Sequence, residues 1–430
     1  MNVVDSTRVA SALENLGYQP THQPEGADVI VLNTCVVRQS AEDKAIGRLS
    51  SLRPLKRKKP NLVINLMGCL VGIKEDNRLK ERFPFVDVFS PPSDTGPLIT
   101  YLTQRDDQIL EQSETQQRFT TMDNGWLLPL EERGKLVSSF LPIVLGCSHA
   151  CAFCIIPFRR GIERSRPVEK VISEANALVV QGVKEITLLG QIVDRYGKDI
   201  PEGSDLATLL HTLHQIEGLE RIRFLTSHPN WMTLELLDTV AELPKVMPHI
   251  EVPIQSGDDD VLADMRRGYT TNDYRQLIKN IRERIPSVSI ATDIIVGFPG
   301  ESEIQFQRTY DLLAKLKLDV AHLARYSPRP GTLAARRMVD DVPEQEKWRR
   351  FRVLEELQER IAAEINDCYL GKITEVLFDA KIRERWRGRT PTNKLVFVES
   401  GEDLRGRVGK VQITWTGPWS MQGRYLPGAS

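Results

Sequence analysis

Long apolar runs, a charge excess and scattered cysteines are all missing from this sequence of 430 residues. No window reaches the roughly 18 consecutive apolar residues of a membrane-spanning helix, and Met1–Ser6 lacks the basic and apolar regions of a secretory signal. The formal net charge is -1, with 41% hydrophobic and 27% charged residues. This composition excludes a small disulfide scaffold and a disordered tail protein, and the length suits two to four domains. We expect a cytoplasmic enzyme or binding protein.

Only six cysteines are present, but three of them cluster. Cys147, Cys151 and Cys154 form a C-x3-C-x2-C pattern directly after a predicted strand, Leu141–Leu145. Three thiolates on one short loop can hold three irons of a 4Fe-4S cluster and leave the fourth iron open for an exogenous ligand. Zinc is the alternative, because His149 would complete a Cys3His set, although zinc ligands usually come as separated pairs.

The first part of the chain has the pattern of a small Rossmann-like α/β domain, assigned to residues 1–120. Short apolar strands at Asp28–Asn33 and Leu62–Leu66 alternate with helical stretches. Between Gln104 and Gly125 the sequence becomes polar and loses hydrophobic periodicity. We therefore predict a linker there.

Six predicted strands repeat at near-regular intervals after Phe140, most of them followed by an amphipathic helix. Tandem βα units favour a parallel sheet curled into a partial (β/α)6 barrel, with functional groups at the carboxyl ends of the strands. We assign this core to residues 136–366. The predicted strands are Leu141–Leu145, Glu185–Leu189, Arg221–Leu225, Ile250–Ile254, Ser289–Val296 and Val320–Tyr326.

The last segment, residues 367–430, follows a long charged helix that begins at Pro343 and has short β-like runs typical of a small β-barrel. It contains eleven Lys and Arg against seven Asp and Glu, a net charge of +4. An aromatic side chain among basic ones suits phosphates and a stacked base, and the alternative is a solvated β-turn with an exposed tryptophan. The candidate RNA contacts are Arg383, Arg385, Trp386, Arg387, Arg389 and Lys394.

Motifs along nearly the whole chain are similar, in order, to those of the radical S-adenosylmethionine (SAM) methylthiotransferase family. Asn33-Thr-Cys35 and Gly68-Cys69 match its N-terminal domain, and Gly388-Arg-Thr-Pro-Thr-Asn-Lys394 matches its C-terminal RNA-binding module, called TRAM. The cysteine cluster, with Phe153 before its last cysteine, matches the SAM-cleaving core. The core also matches at Leu188-Leu-Gly-Gln191, Arg221-Ile-Arg-Phe224, Thr226-Ser-His-Pro229, Pro253-Ile-Gln-Ser-Gly257, Met265-Arg-Arg-Gly-Tyr-Thr270, Thr292-Asp-Ile-Ile-Val-Gly-Phe-Pro-Gly-Glu301 and Tyr326-Ser-Pro-Arg-Pro-Gly-Thr332.

The resemblance implies that SAM binds the open iron of the cluster and is cleaved to methionine and a 5'-deoxyadenosyl radical. Polar residues placed where the strands end can offer hydrogen bonds to SAM, although each could instead be a turn or helix-cap residue. Gly297 has the same ambiguity, because a tight βα turn also requires glycine. The candidate SAM contacts are Phe153, Gln191, Ser227, Gln255, Asp293 and Gly297.

The resemblance also implies a second, auxiliary 4Fe-4S cluster that carries the sulfur to be transferred. Cys35 and Cys69 match two of its three ligands. Met1–Ser6 aligns with the end of the family's Gly-Cys-x-Met-Asn motif, so we expect the third cysteine position to lie before Met1. Two thiolates normally hold such a cluster poorly, and without the family's first strand the edge at Asp28–Leu32 should be unpaired.

The resemblance implies a tRNA methylthiotransferase acting at carbon 2 of N6-isopentenyladenosine beside the anticodon. Sister branches that modify threonylcarbamoyl-adenosine or a ribosomal protein share the layout, and a non-catalytic RNA-binding protein with a structural metal is a further alternative. The implied partners are tRNA, SAM and a low-potential electron donor such as flavodoxin or ferredoxin. We expect a monomer with no membrane association.

Overall fold

The computed structural model describes residues 1–74, 77–105, 128–201 and 203–428. The predicted polar linker lies, from residue 106 onward, outside the described residues. In chain order the helices and strands are α1 (Asn2–Asn15), β1 (Val29–Thr34), α2 (Gln39–Ser51), α3 (Arg53–Lys58), β2 (Val63–Gly68), α4 (Asn77–Arg82), β3 (Val88–Ser90), α5 (Gly96–Arg105), β4 (Ser138–Pro142), β5 (Val144–Leu145), α6 (Ile156–Arg160), β6 (Arg164–Ser165), α7 (Val168–Val180), β7 (Glu185–Leu189), α8 (Leu206–His214), β8 (Arg221–Leu225), α9 (Leu234–Glu242), β9 (His249–Glu251), α10 (Asp259–Asp264), α11 (Thr271–Arg284), β10 (Ser289–Val296), α12 (Glu303–Leu316), β11 (Val320–Arg325), α13 (Leu333–Arg337), α14 (Glu344–Asp367), β12 (Ile373–Ile382), β13 (Arg385–Arg389), β14 (Leu395–Glu399), β15 (Val408–Thr416) and β16 (Met421–Tyr425).

The chain divides into two compact units. The first comprises Met1–Arg133, Leu145–Gln181 and Ser327–Arg336, and the second comprises Gly134–Val144, Gly182–Tyr326 and Arg337–Ser430. The cysteine loop therefore belongs to the same unit as Cys35 and Cys69. The domain boundaries assigned from the sequence at residues 120, 136 and 367 stay predictions.

The first unit is built on a parallel sheet in the order β1-β2-β3. All six residues of β2 are buried because apolar clusters cover both faces of this strand. Leu49 of α2 packs on one face, whereas Val9 of α1 and Leu98 of α5 pack on the other. β1 lies at the edge of this sheet, as the sequence predicts, and the two predicted strands are confirmed with small shifts of their ends.

The second unit contains six parallel strands, which confirms the predicted α/β core. They form two three-stranded sheets, β4-β7-β8 and β9-β10-β11, and a parallel bridge between Ile222 and Val246 joins β8 to the chain just before β9. Strand order in space thus follows chain order, as expected of tandem βα units. No helix in the described ranges is long and apolar enough to cross a membrane.

The C-terminal segment of this unit is a closed barrel in the order β12-β13-β14-β16-β15, which confirms the predicted small β-barrel. Its core includes Val376, Phe378, Val396 and Met421. β13 and β16 were not predicted as strands, because their glycines and arginines are more typical of loops. Pairing with neighbouring strands on both sides holds them extended despite that composition.

Candidate cluster and cofactor sites

The loop that carries the three clustered cysteines is shaped by a glycine and by backbone hydrogen bonds. Gly146 has a φ of 69°, and a Cβ at this position would lie 2.1 Å from the carbonyl oxygen of Ile162, so only glycine fits. The amide of Cys147 donates to the carbonyl of Gly161 at 3.0 Å, and that of Cys154 donates to the carbonyl of Cys151 at 3.2 Å. These backbone hydrogen bonds fix the course of the loop that carries the three cysteines.

A side-chain contact joins the histidine of this loop to one of its cysteines. His149 Nδ1 lies 3.2 Å from Cys151 Sγ, so the imidazole lies beside one of the three thiols. Cys151, Phe153 and Cys154 are half-buried, whereas Cys147 is 7% exposed. A ligand reaching this loop would therefore meet two of the three thiols from a partly open side.

Cys35 and Cys69 follow neighbouring strands of the first unit. The amide of Cys69 donates to the carbonyl of Thr34 at 3.0 Å, which places the ends of β1 and β2 side by side. A Cβ on Gly68, at a φ of 98°, would lie 2.6 Å from Thr34 O, so glycine is required for this close approach. Burial raises the pKa of the Cys69 thiol, and the guanidinium of Arg160 opposes that rise.

Two arginines that the sequence analysis did not single out reach from the cysteine loop to this region. Arg160, in α6, donates to Asn2 Oδ1 at 2.7 Å and to Ser93 Oγ at 3.3 Å, and lies 3.5 Å from Asp5 Oδ2. Arg159 donates to the carbonyl of Leu70 at 3.5 Å. The position of these arginines, only a few residues after Cys154, was the one available signal.

A third arginine fixes the segment Ser327–Arg336 within the same unit. Arg329, 3% exposed, donates to Gln39 Oε1 at 2.7 Å and forms an ion pair with Glu42 in α2. The amide of Ala334 donates to the carbonyl of Ala152 in the cysteine loop at 2.8 Å. This segment thus supports both the cysteine loop and the helix that follows β1 and Cys35.

The residues predicted to contact SAM lie in the second unit, except Phe153, which lies in the cysteine loop. Ser227 and Gln255 are 3% and 8% exposed, and their Oγ and Oε1 atoms have no hydrogen-bond partner among the described residues. Gln191 and Asp293 are half-buried at β7 and β10. A buried polar atom without a partner costs about 1–3 kcal/mol, so Ser227 and Gln255 suit a polar ligand that would complete their hydrogen bonds.

Gly297 is explained by packing within the protein. Its φ is 69°, its amide donates to Glu301 Oε2 at 2.6 Å, and a Cβ there would lie 2.3 Å from Lys347 Cγ. The space beside this glycine is filled by a side chain of α14. The structure therefore favours the turn alternative for Gly297.

The predicted RNA contacts divide into two buried side chains and four arginines on the outside of the barrel. Trp386 points into the barrel core and is 5% exposed, so the prediction that it stacks on a base is wrong: a buried ring offers no free face. Lys394 is 9% exposed and forms a 2.7 Å ion pair with Asp319, so its prediction as a phosphate contact is also wrong. Both side chains stabilise the barrel instead.

The remaining arginines lie on the outside of the barrel. Arg383 lies in the turn before β13, where its φ is 45° and that of Glu384 is 67°. Arg385 is exposed beside Glu399, and Arg387 makes a bidentate contact with Asp379 at 2.8–2.9 Å. Arg389 is exposed and donates to the carbonyl of Asn393. Arg385 and Arg387 are thus paired with carboxylates, and the role of all four arginines as phosphate contacts stays a prediction.

Buried charges attach the barrel to the parallel strands of its unit. Arg223 in β8 contacts Glu185 Oε2 at 2.8 Å and donates to the carbonyls of Thr390 and Pro391 at 2.9 and 2.8 Å. Arg221 donates to the carbonyl of Arg389 at 2.7 Å. The backbone at the end of β13 and just after it is therefore held to β8 by hydrogen bonds from these two arginines.

Comparison with known proteins identifies the family. Residues 141–313 match the radical SAM superfamily, and residues 1–90 match the uncharacterized protein family UPF0004. The chain is 48% identical over 426 residues to the tRNA-2-methylthio-N(6)-dimethylallyladenosine synthase of Roseiflexus sp. (strain RS-1), covering 98% of this chain and 87% of that one. The enzyme of the same name from Herpetosiphon aurantiacus is 46% identical over 433 residues, covering 99% and 95%. The chain belongs to the radical SAM methylthiotransferase family.

A solved structure supports the fold of this methylthiotransferase-family chain. The radical SAM methyltransferase TsrM from Kitasatospora setae, solved with cobalamin and a [4Fe-4S] cluster bound, superimposes with a TM-score of 0.56 at 15% identity. The match covers 78% of this chain and 74% of that one. At this identity the likeness concerns the fold alone.

Membership of the methylthiotransferase family implies a 4Fe-4S cluster and SAM. The family therefore favours the iron–sulfur alternative over zinc, and its assignment to Cys147, Cys151 and Cys154 stays a prediction. Among the described residues, no group of three or more His, Cys, Asp or Glu side chains is arranged to hold a metal ion, so the cluster ligands rest on the family motif. Ser227 Oγ and Gln255 Oε1, two buried polar atoms without a partner among those residues, suit a polar ligand such as SAM.

Proposed function

We propose that this chain is a tRNA methylthiotransferase that adds a methylthio group to carbon 2 of N6-isopentenyladenosine beside the anticodon. SAM serves both as radical source and as methyl donor. The near-full-length identity to synthases named for this nucleoside carries the proposal. The cysteine loop supports it, because its chemistry is that of a SAM-cleaving cluster.

Cys147, Cys151 and Cys154 are the proposed ligands of this cluster. Bound there, a 4Fe-4S cluster supplies the electron that cleaves SAM and thereby produces the radical that removes hydrogen from the adenine carbon. Ser227 and Gln255, with Gln191 and Asp293 at neighbouring strands, hold SAM through hydrogen bonds to its polar groups. The orphaned Oγ and Oε1 atoms are satisfied when SAM binds.

Cys35 and Cys69 are proposed ligands of the auxiliary cluster. Both cysteines follow the ends of neighbouring strands, and Arg160 adds a positive charge that stabilises the thiolate of Cys69. This arrangement suits a group that carries net negative charge through its sulfur atoms.

The C-terminal barrel is proposed to bind tRNA through the outward guanidinium groups of Arg383, Arg385, Arg387 and Arg389. Phosphate contacts of this kind make affinity fall steeply as salt rises. The further partner is a low-potential electron donor such as flavodoxin or ferredoxin, and the chain acts as a cytoplasmic monomer.

Nucleoside analysis tests this proposal. tRNA from cells with and without the gene is digested, and the nucleosides are separated and identified by mass spectrometry. The expected result is loss of the 2-methylthio derivative of N6-isopentenyladenosine and accumulation of its unmodified precursor. Loss of methylthio-threonylcarbamoyl-adenosine instead, or of a modified ribosomal protein, would assign the chain to a sister branch.

A further inference from the structure

A cavity of about 360 Å³ lies between the parallel strands of the second unit and the C-terminal barrel. Glu251 of β9 and His322 of β11 line it on one side, and Arg389 and Trp419 line it from the barrel. Its volume falls at the small end of the range found for ligand sites. The SAM contacts proposed above do not line this cavity.

The inner wall of this cavity carries two oxygen acceptors that lack partners. The carboxylate of Glu251, half-buried, has no hydrogen bond or ion pair among the described residues, and burial together with Asp293 raises its pKa to about 7. Asn366 is 3% exposed; its Nδ2 donates to the carbonyl of Gly417 at 2.7 Å, but its Oδ1 has no partner within the described ranges. Because an unsatisfied buried acceptor such as Asn366 Oδ1 is costly, and the carboxyl group of Glu251 lines the same cavity, this wall suits a ligand that brings N–H donors.

The outer rim has the opposite character. Trp419 is 56% exposed in the turn between β15 and β16, and Arg389 and His322 are exposed beside the same opening. An exposed aromatic ring stacks readily on a nucleobase, and a guanidinium group at the mouth attracts the phosphate attached to it. Rim and inner wall together therefore match a nucleotide entering base first.

We propose that this cavity binds one unstacked base of the RNA substrate, with its N–H edge toward Glu251 and Asn366 and its face against Trp419. The inference rests on the proposed function for the presence of an RNA substrate. It adds a second base-binding position, separate from the adenine that reacts. The site lies beside the arginine-bearing strand β13, so a base bound here and phosphates bound by the barrel belong to one continuous RNA path.

A double-mutant cycle between protein and RNA tests the cavity directly. The probe is a synthetic anticodon stem-loop carrying N6-isopentenyladenosine, prepared intact and with a single abasic site at each loop position in turn. Binding to the full chain is measured by fluorescence anisotropy without turnover. One abasic position should weaken binding by about tenfold in the parent protein and have little further effect in Trp419→Leu.

Trp415→Leu is the matched control, because Trp415 is also exposed on the barrel, at 48%, but packs against Gly417 and does not line the cavity. This variant should keep both the affinity and the abasic penalty of the parent. Glu251→Gln should weaken binding of the intact stem-loop and reduce the penalty at the same position, while circular dichroism confirms that the variant folds.

Equal penalties in the parent and in Trp419→Leu at every position would overturn the inference. Competition by a free nucleoside at the same concentration as the stem-loop would also overturn it, because the cavity would then be a nucleoside site. The proposed function is tested separately by methylthiolation of the same stem-loop. An enzyme that modifies it but shows no coupling to Trp419 would contradict only the inference.

Discussion

Replacing Arg223 with methionine should loosen the C-terminal barrel from the parallel strands of its unit. Arg223 and Glu185 are 3% and 5% exposed, and the guanidinium also donates to two backbone carbonyls that follow β13. The substitution leaves a buried carboxylate whose other side-chain contact is the hydroxyl of Ser138 at 3.1 Å. Removing one partner of a buried ion pair costs about 3–5 kcal/mol, so we expect a loss of this size in the free energy of unfolding.

Urea denaturation followed by tryptophan fluorescence measures this loss. Arg385→Met is the matched control, because its ion pair with Glu399 is exposed and should contribute less than about 1 kcal/mol. The double variant Glu185→Leu with Arg223→Met should recover part of the stability, since it leaves no unpaired buried charge on the strands. A loss below about 1 kcal/mol for Arg223→Met would refute the reasoning.

Three further predictions follow from the sites. The triple variant with alanine at Cys147, Cys151 and Cys154 should produce no 5'-deoxyadenosine from SAM under reducing anaerobic conditions, and undiminished production would refute the cluster assignment. Trp386→Ala should lower the free energy of unfolding by about 3–5 kcal/mol because the ring is in the barrel core; a fully stable variant with weakened RNA binding would show that the ring acts at the surface. The pKa of Glu251 is raised to about 7, so between about pH 4.5 and 7 the folded protein keeps a proton on this carboxyl group that the unfolded chain has lost. The free energy of unfolding should therefore fall as pH rises through this range. Glu251→Gln should flatten the fall in urea titrations, and an unchanged slope would contradict the raised pKa.

Deleting the whole barrel is a poor test of RNA binding, because the deletion leaves buried charges in the rest of the chain without some of their partners. Removal of residues 372–430 takes away the ion-pair partner of Asp319 and the carbonyl acceptors of Arg221 and Arg223. Substitutions of exposed arginines separate RNA binding from stability more cleanly.

Most strands of the parallel core could be predicted because they are short runs between turn signals. The predicted strands Leu141–Leu145 and Ile250–Ile254 overlap β4 and β9 only in part, because β4 begins earlier, at Ser138, and β9 ends at Glu251. β7, β8 and β10 have the predicted ends, and a glycine directly follows β7 and β10. β13 could not be predicted in the same way. Its arginines alternate with Trp386 and Gly388, and only pairing with β12 and β14 shows that this alternation is a strand with one buried face.

Site residues could be predicted where they form a local sequence motif. The C-x3-C-x2-C pattern is visible in the sequence, whereas Arg160 and Arg329 act on residues more than 150 positions away. Lys394 illustrates the converse error: a basic residue in a basic segment suggested phosphate binding, but its partner Asp319 lies far away in sequence, directly before β11. Long-range pairing of charges is decided by the fold and leaves little trace in local sequence.

The central claim is that this chain transfers a methylthio group to carbon 2 of an isopentenylated adenine in tRNA. The most direct measurement incubates purified, anaerobically reconstituted protein with SAM, a reductant and the N6-isopentenyladenosine stem-loop, followed by mass spectrometry of the digested RNA. The account predicts a nucleoside heavier by one methylthio group in place of one hydrogen, with 5'-deoxyadenosine formed alongside it. Formation of 5'-deoxyadenosine with an unmodified stem-loop, under conditions where a family relative modifies it fully, would contradict the account.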